Sequence, residues 1–261
     1  MKSRPELVDV ANENFLASFR KVVEHSPGGE IRSHGGPLAF VSGLPLSLFN
    51  GCVVVEPASS RELDSTISWI EERDVPYRVW IAQELVTGLE AVPRAHGLDP
   101  APLPYPGMVL HPLPDEVPPL PVGVEVVAVA GSGLGEFLCV CDEGGLSRDL
   151  ARRLFSESFA GDPEVELFVG RLEGRPVGTS IAIRSSQAAG VYNVGTLTAA
   201  RRRGVGTALT WAAVEAGRAW GRDTIVLQSS EMGLPMYRSM GFRAVAPYIT
   251  FGRQLQGTGD G

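Results

Sequence analysis

The chain has 261 residues, of which 44% are hydrophobic and 20% charged, and a formal net charge of -7 at pH 7. This length can bury a core without disulfide bonds, and three cysteines without zinc-site spacing exclude both a disulfide framework and a cysteine-based metal centre. The acidic balance disfavours nucleic-acid partners, because phosphate contacts supply most of that affinity, and the absence of a long apolar run disfavours a membrane partner. We therefore expect a cytoplasmic protein that holds no metal.

The first part of the chain alternates helical and strand patterns. Apolar residues at helical spacing predict a helix over residues 5–25, and two apolar stretches between residues 36 and 56 predict strands. Ser59 or Ser60 can begin a helix that runs to about residue 72, with Glu62 placed for a capping box. The remaining patterns predict a strand at 77–82, a helix near 85–96 and a strand near 108–111.

A proline-rich stretch at residues 100–121 divides the chain. It carries nine prolines, which remove amide donors and leave room for no more than a short edge strand. We read its end as a linker between a domain at 1–121 and a domain at 122–261. The charge supports this division, since all of the net charge of -7 falls in the first domain and the second is neutral.

The second part predicts a mixed sheet with helices packed on it. A strand at 124–130 is followed by helical material to about residue 159 and by a strand at 165–172, which a hairpin turn at Gly174 connects to the next strand. The patterns that follow are strands at 176–184 and 190–197, a helix at 204–220, a strand at 224–228, a helix at 232–240 and a strand at 243–251.

The strongest local motif lies at residues 193–210, where a strand enters a glycine-containing turn that opens a helix. The first amides of a helix have no intrahelical partner, and glycine lets a phosphate approach them closely. Arg201, Arg202 and Arg203 add positive charge, and Thr207 adds a hydroxyl. The spacing fits neither a P-loop nor a dinucleotide fingerprint. The motif predicts a phosphate site, unless the glycines only form a tight turn and the arginines are solvated.

Residues 122–261 resemble the GNAT superfamily of N-acetyltransferases. That family binds the CoA pyrophosphate at a Gln/Arg-x-x-Gly-x-Gly/Ala loop, which Arg201, Gly204 and Gly206 match. The resemblance implies that the loop amides hold the pyrophosphate and that the preceding strand contacts the pantetheine arm and the thioester. The loop residues are Arg202, Arg203, Gly204, Val205, Gly206 and Thr207, and the strand residues are Val194, Gly195 and Thr196.

A second motif, residues 231–242, resembles the last helix of the family, with its Tyr-x-x-x-Gly-Phe ending. By this resemblance Tyr237 protonates the departing CoA thiolate, which a phenol with a pKa near 10 can do. The alternative is that Tyr237 only fills space between helix and sheet. Ser230 stands where the family often has asparagine, and it still offers one hydrogen bond.

The general base stays open. Tyr192 and Asn193 occupy the region where some members of the family carry a carboxylate, and residues 122–261 contain no histidine, which excludes a Ser-His-Asp relay within them. An ordered water, Glu166 or Glu231 could accept the proton, although both glutamates suit a solvated surface equally well. Capture of the neutral amine could make a base unnecessary.

The order of elements in residues 59–111 parallels that in residues 204–251, which suggests that residues 1–121 are a degenerate second copy of the same fold. In that copy residues 56–60, which include Glu56 and Pro57, replace the phosphate loop. A carboxylate and a missing amide would oppose pyrophosphate, so we expect no CoA there and a role in walling the cleft. The alternative is an unrelated α+β domain.

The sequence thus predicts an α/β protein of mixed α+β type, with two tandem GNAT-like domains whose mostly antiparallel sheets are flanked by helices. The predicted function is that of an acetyl-CoA-dependent N-acetyltransferase, with a small-molecule or peptide amine as acceptor, acting as a monomer or homodimer. The alternative function is a non-catalytic sensor that binds acyl-CoA.

Overall fold

The computed structural model describes residues 2–33, 36–129 and 133–253. Its helices are α1 Arg4–Glu24, α2 Ser60–Glu71, α3 Val86–Leu89, α4 Ala91–Ala95, α5 Gly133–Glu143, α6 Arg148–Leu154, α7 Glu157–Ala160, α8 Val205–Ala219 and α9 Leu234–Ser239. Its strands are β1 Glu30–Ser33, β2 Pro37–Val41, β3 Asn50–Val54, β4 Arg78–Ala82, β5 Asp99–Pro100, β6 Tyr105–Leu110, β7 Val124–Ala128, β8 Val165–Leu172, β9 Arg175–Arg184, β10 Ala189–Thr196, β11 Ile225–Gln228 and β12 Arg243–Gly252. Residue 130, the predicted end of the strand that is now β7, lies outside the described residues.

The chain forms two compact units whose boundaries differ from a division at residue 121. Unit 1 comprises residues 1–25 and 107–245, and unit 2 comprises residues 26–106 and 246–261. The reason is strand pairing. From Gly107 onward β6, inside the proline-rich stretch, pairs with β11, whereas β12 at the end of the chain pairs with β4. The predicted linker is therefore confined to residues 111–123, where no helix or strand occurs.

The sheet of unit 1 has the order β6-β11-β10-β9-β8-β7. All neighbours are antiparallel except β10 and β11, which are parallel. The hairpin between β8 and β9 turns at Glu173 and Gly174, whose φ angles of 52° and 79° match the twist that two-residue hairpin turns require. The predicted hairpin at Gly174 is thus confirmed.

Helix α8 lies close against this sheet because glycines remove side chains from the contact. A Cβ atom at Gly170 would lie 2.9 Å from Val205 Cγ1, and one at Gly178 would lie 2.8 Å from Leu209 Cδ1. The hydroxyl of buried Ser180 donates to the Leu209 carbonyl at 3.0 Å. This close packing fixes the position of the N-terminus of α8 relative to β9 and β10.

Helix α1 is part of unit 1 although it begins the chain. The Asn14 side chain is fully buried, and its Nδ2 donates to the Ile183 carbonyl at 3.3 Å. Its Oδ1 accepts from the Tyr192 hydroxyl at 2.7 Å, which attaches the helix to β9 and β10. The predicted helix at 5–25 is confirmed, whereas its assignment to the same domain as β1–β4 is not what the structure gives.

The sheet of unit 2 has the order β1-β2-β3-β4-β12, with β5 also paired to β12. Only β3 and β4 are parallel. Helix α2 begins with the predicted capping box, in which Ser59 Oγ accepts from Glu62 N and Glu62 Oε2 accepts from Ser59 N. The helix predicted at 85–96 is divided into a 3-10 turn, α3 and α4, since Pro93 removes an amide donor.

The two units share one order of connections. In each, two antiparallel strands lead into a helix, α8 or α2, that crosses to a parallel strand, which pairs with a final antiparallel strand. The final strand of unit 1 is β6, from the first part of the chain, and that of unit 2 is β12, from the last part. The fold class is a mixed, mostly antiparallel sheet flanked by helices, as the sequence predicts.

Candidate active site

The site begins where β10 and β11 diverge. Their parallel ladder contains only the pairs Ala189–Ile225 and Gly190–Val226. Strand β10 continues for six more residues to Thr196, and β11 continues to Gln228, yet the described structure contains no further pair between them. The strands therefore open into a cleft bordered by backbone groups of β10, among them those of Val194, Gly195 and Thr196.

A β-bulge shapes β10 at the mouth of this cleft. The register between β9 and β10 shifts between Tyr192 and Gly195, and Asn193 has a left-handed φ of 50°. Asparagine tolerates this conformation better than most residues because its side chain can bond locally. Here Asn193 Nδ2 donates to Thr179 Oγ1 at 3.2 Å, and Thr179 Oγ1 donates to the Asn193 carbonyl at 3.2 Å.

The turn after β10 brings the chain to the N-terminus of α8. Residues Thr198–Ala200 form a 3-10 turn, and two left-handed residues follow, Arg202 with φ 61° and Gly204 with φ 82°. When residues beside the start of a helix have left-handed φ angles, successive backbone amides point toward one position, as in anion-binding nests. No side chain caps α8, and the first amide in the helix with a described partner is that of Ala208. The amides of Val205, Gly206 and Thr207 thus remain available to an anion.

The three arginines of the turn differ in their partners. Arg201 Nε donates to the Thr196 carbonyl at 3.2 Å, which ties the turn to the end of β10. Arg203 pairs with exposed Glu173 at 3.2 Å, a surface ion pair of small energy that a ligand can displace. Arg202 is exposed and has no partner among the described residues. The positive charge of the predicted cluster is therefore present, with Arg202 as its most available member.

The two glycines of the loop serve different purposes. Gly204 has a left-handed φ, and a Cβ atom there would lie 2.5 Å from Pro121 Cγ, so this glycine allows the proline-rich stretch to pack on the turn. Gly206 has ordinary helical geometry, and the nearest atoms to a Cβ there are Met236 Sδ at 3.4 Å and Thr196 Oγ1 at 3.5 Å. A Cβ atom at Gly206 would therefore fit in ordinary van der Waals contact with Met236 and Thr196.

Tyr237 and Ser230 lie beyond the end of β11. Tyr237 is 7% exposed, and its ring contacts that of Phe242 edge-on, with 5.8 Å between the centroids. A Cβ atom at Gly233 would lie only 2.9 Å from Tyr237 Cε2. Ser230 is exposed, and its Oγ accepts from Gly233 N at 3.3 Å, which orders the start of α9. Both residues therefore have structural contacts in addition to any catalytic one.

The two candidate carboxylate bases do not border the cleft in the same way. Glu166 pairs across β8 and β9 with Ala182, two strands away from the β10–β11 opening, and burial raises the pKa of its carboxyl group. Glu231 is exposed and directly follows Ser230. Geometry thus disfavours Glu166 as a base in the cleft, since three strand spacings separate β8 from β11.

Residues on α5 and α1 complete the surroundings of the bulge, and the sequence motifs did not single them out. Asn193 Nδ2 also lies 3.9 Å from Cys141 Sγ on α5, while Tyr192 is held by Asn14 on α1. Burial raises the pKa of the Cys141 thiol to about 11, so this cysteine is protonated at neutral pH and unsuited as a nucleophile. The sequence signal for the bulge is the Asn193–Gly195 pair, because both residue types tolerate unusual φ angles.

Two further properties bear on the chemistry. Among residues 2–33, 36–129 and 133–253, no group of three or more His, Cys, Asp or Glu side chains is arranged to hold a metal ion. Within the same residues, no helix combines the length and apolar character that crossing a bilayer requires.

Known proteins share this architecture. Residues 134–242 match the sequence model of the acetyltransferase (GNAT) family. A GCN5-related N-acetyltransferase from Kribbella flavida superposes with a TM-score of 0.70 at 20% identity, over 95% of this chain and 95% of that chain. A tandem GNAT protein from the clavulanic acid biosynthesis pathway gives a TM-score of 0.59 at 15% identity, over 90% of this chain and 86% of that chain.

A third solved structure, a GCN5-related N-acetyltransferase from Sphaerobacter thermophilus, gives a TM-score of 0.60 at 19% identity, over 83% of this chain and 76% of that chain. At these identities the likeness concerns the fold alone. No curated protein sequence matches this chain. The family match covers α5 to the end of α9, which contains the cleft, the loop and Tyr237. Residues 134–242 belong to the acetyltransferase (GNAT) family.

Proposed function

We propose that unit 1 transfers the acetyl group of acetyl-CoA directly to the amine of a small molecule or peptide. The observation that carries this proposal is the short β10–β11 ladder, which stops at Gly190 and leaves a cleft leading to the uncapped N-terminus of α8. A cleft with unpaired strand backbone at one end and free helix amides at the other suits a long ligand with an amide-containing arm and a pyrophosphate.

The residues present fit CoA. The amides of Val205, Gly206 and Thr207 would hold pyrophosphate oxygens, with Arg202 adding charge, because their positions at the helix start leave them without intrahelical partners. The Val205 side chain itself is buried against the sheet, so its contribution is the backbone amide. Backbone groups of Val194 and Thr196 would meet the pantetheine arm. Acetyl-CoA supplies an activated acyl group as its thioester.

The protein's own groups then have simple tasks. The amine nitrogen forms a bond to the acetyl carbon as the carbon–sulfur bond breaks, and amides at the bulge of β10 stabilise the charge that develops on the carbonyl oxygen. Tyr237 donates a proton to the leaving sulfur, since a phenol is ordinarily protonated at neutral pH, and it regains that proton from water. The proton lost from the amine passes to solvent, so no carboxylate base is required.

Thermal melting with and without acetyl-CoA tests the proposal. A ligand at about 100 times its dissociation constant that binds only the folded state adds about 2.7 kcal/mol, which raises the melting temperature by several degrees. Gly206→Glu should abolish this shift, since its Cβ atom would fit beside Met236 and Thr196 and its carboxylate would repel a pyrophosphate at the start of α8. Gly204 is a poor choice for the same test, because any side chain there would collide with Pro121.

Gly88→Glu is the matched control, because Gly88 also lies in a helix and has no atom within 4 Å of a Cβ position. It should melt with the same acetyl-CoA shift as wild type. A wild-type protein that shows no shift would contradict the CoA site. A shift without acetylation of any amine in a broad panel would contradict the transfer reaction and leave an acyl-CoA sensor.

A further inference from the structure

Unit 1 contains a cavity of about 490 Å³ that is distinct from the cleft between β10 and β11. No residue of the loop at 201–207 lines it. Its walls are one face of α1, the residues at the adjoining ends of β8 and β9, and the turn that follows α8. The 15-residue α8 places this turn about 20 Å from the loop at its N-terminus. The cavity is therefore separate from the candidate active site, and its volume is that of a pocket for a small metabolite.

Most charged groups that line the cavity are already paired with each other. Lys21 Nζ lies 3.0 Å from Glu164 Oε2 and 4.0 Å from Glu24 Oε2, and Arg184 lies 3.3 Å from Glu164. Glu13 accepts hydrogen bonds from the hydroxyl groups of Ser185 and Ser186. The carboxylates of the lining thus have internal partners.

Two arginines of the lining have none. In the part of the chain that the structure describes, neither Arg20 nor Arg222 forms a side-chain hydrogen bond or ion pair, although both are partly buried. The Nε atom of Arg222 is fully shielded and has no hydrogen-bond partner. A partly buried guanidinium group without an acceptor is costly, which favours an anionic ligand that reaches the terminal nitrogen atoms of Arg222 from the cavity.

We propose that this cavity binds a small molecule through a phosphate monoester group, held by Arg20 and Arg222. Two unpaired guanidinium groups match the charge of nearly -2 that a phosphate monoester carries at neutral pH, and guanidinium and phosphate form paired hydrogen bonds. With three carboxylates against four cations, the lining has a net charge of +1. A cavity of this volume also holds the organic part of such a ligand.

Titration calorimetry of the full chain with glycerol 3-phosphate at neutral pH and constant ionic strength tests the proposal, with glycerol as the uncharged probe. Arg222→Gln and Arg20→Gln should each weaken binding about tenfold or more, the usual loss for a charge-assisted hydrogen bond. Arg152→Gln, at an exposed arginine of α6 outside the cavity, should leave the affinity unchanged. Circular dichroism would establish that each variant is folded. If one arginine variant does not fold, the other variant alone still tests the proposal.

The CoA loop could also attract a phosphate, so Gly206→Glu is included. Binding of glycerol 3-phosphate that persists in Gly206→Glu and weakens in the arginine variants would support the cavity. Loss in Gly206→Glu with no change in the arginine variants would place the phosphate at α8 and overturn the proposal. Absence of binding to wild type at millimolar concentrations would overturn it as well, whatever the result with acetyl-CoA.

Discussion

At the scale of single residues, the candidate site combines a few groups with distinct tasks, and most of them also have structural contacts. Arg201 anchors the turn to β10, Gly204 leaves room for Pro121, and Gly206 lies beside Met236 and Thr196 at the start of α8. Tyr237 packs edge-on against Phe242. A mutation at any of these residues must therefore be read with a measurement of folding beside the measurement of activity.

We predict that Tyr237→Phe lowers turnover by about a hundredfold or more, the usual contribution of a general acid, with little change in acetyl-CoA affinity. The variant retains the ring that contacts Phe242 and Gly233. Steady-state kinetics on an identified amine acceptor, combined with calorimetry for acetyl-CoA, would check both parts. Tyr105→Phe, at a partly buried tyrosine of β6, is the control. Unchanged turnover would remove Tyr237 from the mechanism.

At the scale of elements, α1 depends on an ionic cluster at its C-terminal end. Lys21 Nζ and His25 Nε2 lie 3.0 Å and 2.8 Å from Asp162 Oδ2, and Asp162 is only 11% exposed. Burial alone would raise the pKa of the Asp162 carboxyl group, but hydrogen bonds from the Glu164 amide, His25 and Lys21 hold it below its usual range. The cluster therefore links α1 to the turn before β8.

Because of this cluster, the free energy of unfolding should decrease as the pH becomes acidic. A carboxyl group with a lower pKa in the folded protein than in the unfolded chain stabilises the fold fully above its unfolded pKa of about 4. That stabilisation disappears as the pH falls through the folded pKa. We predict that Asp162→Asn lowers the free energy of unfolding at pH 7 by about 2 kcal/mol, the value of a hydrogen bond to a charged group. The variant's free energy of unfolding should also fall less steeply than that of wild type as the pH becomes acidic.

Urea denaturation of wild type and variant between pH 7 and strongly acidic pH would measure this effect. Asp115→Asn, at an exposed aspartate of the proline-rich stretch without a described partner, should follow the wild-type curve. Superimposable curves for wild type and Asp162→Asn would show that the cluster contributes nothing to stability.

At the scale of the whole molecule, local patterns predicted most elements but not their partners. Periodicity and caps located α1, α2 and α8 within a residue or two, because each has its own apolar face and its own start and end signals. The same patterns divided the chain at residue 121, whereas β6 and β12 each pair with strands distant in sequence. Strand pairing is a tertiary property, and alternation along a strand carries no information about its neighbour.

The site shows the same limit. The loop at 201–207 could be located from its glycines and arginines, since that signal is local. The length of the β10–β11 ladder and the bulge at Asn193 depend on how three strands meet, and the cavity beside Arg222 depends on the packing of α1. The sequence therefore located the turn before α8 but not the strand geometry that opens the cleft beside it.

The two units share one connection order, although unit 2 comprises residues 26–106 and 246–261 and not the predicted copy at residues 1–121, and we expect only unit 1 to bind CoA. Strands β3 and β4 stay paired through four residues, from Gly51–Arg78 to Val54–Ile81, so no cleft opens between them. The start of α2 already has an internal anion, because the Glu62 carboxylate accepts from both the amide and the hydroxyl of Ser59. A pyrophosphate would have to displace that carboxylate and would meet repulsion from Glu56.

We therefore predict one CoA per chain. Calorimetric titration with acetyl-CoA should give a stoichiometry of one for wild type, and Gly206→Glu should give no binding at all. Ser59→Ala would remove the hydroxyl that caps α2 and destabilise that helix by about 1 kcal/mol, but it should leave the CoA stoichiometry unchanged, because the strand ladder beside it stays closed. A stoichiometry of two, or binding that survives in Gly206→Glu, would mean that unit 2 holds CoA and that a continuous β3–β4 ladder does not exclude it.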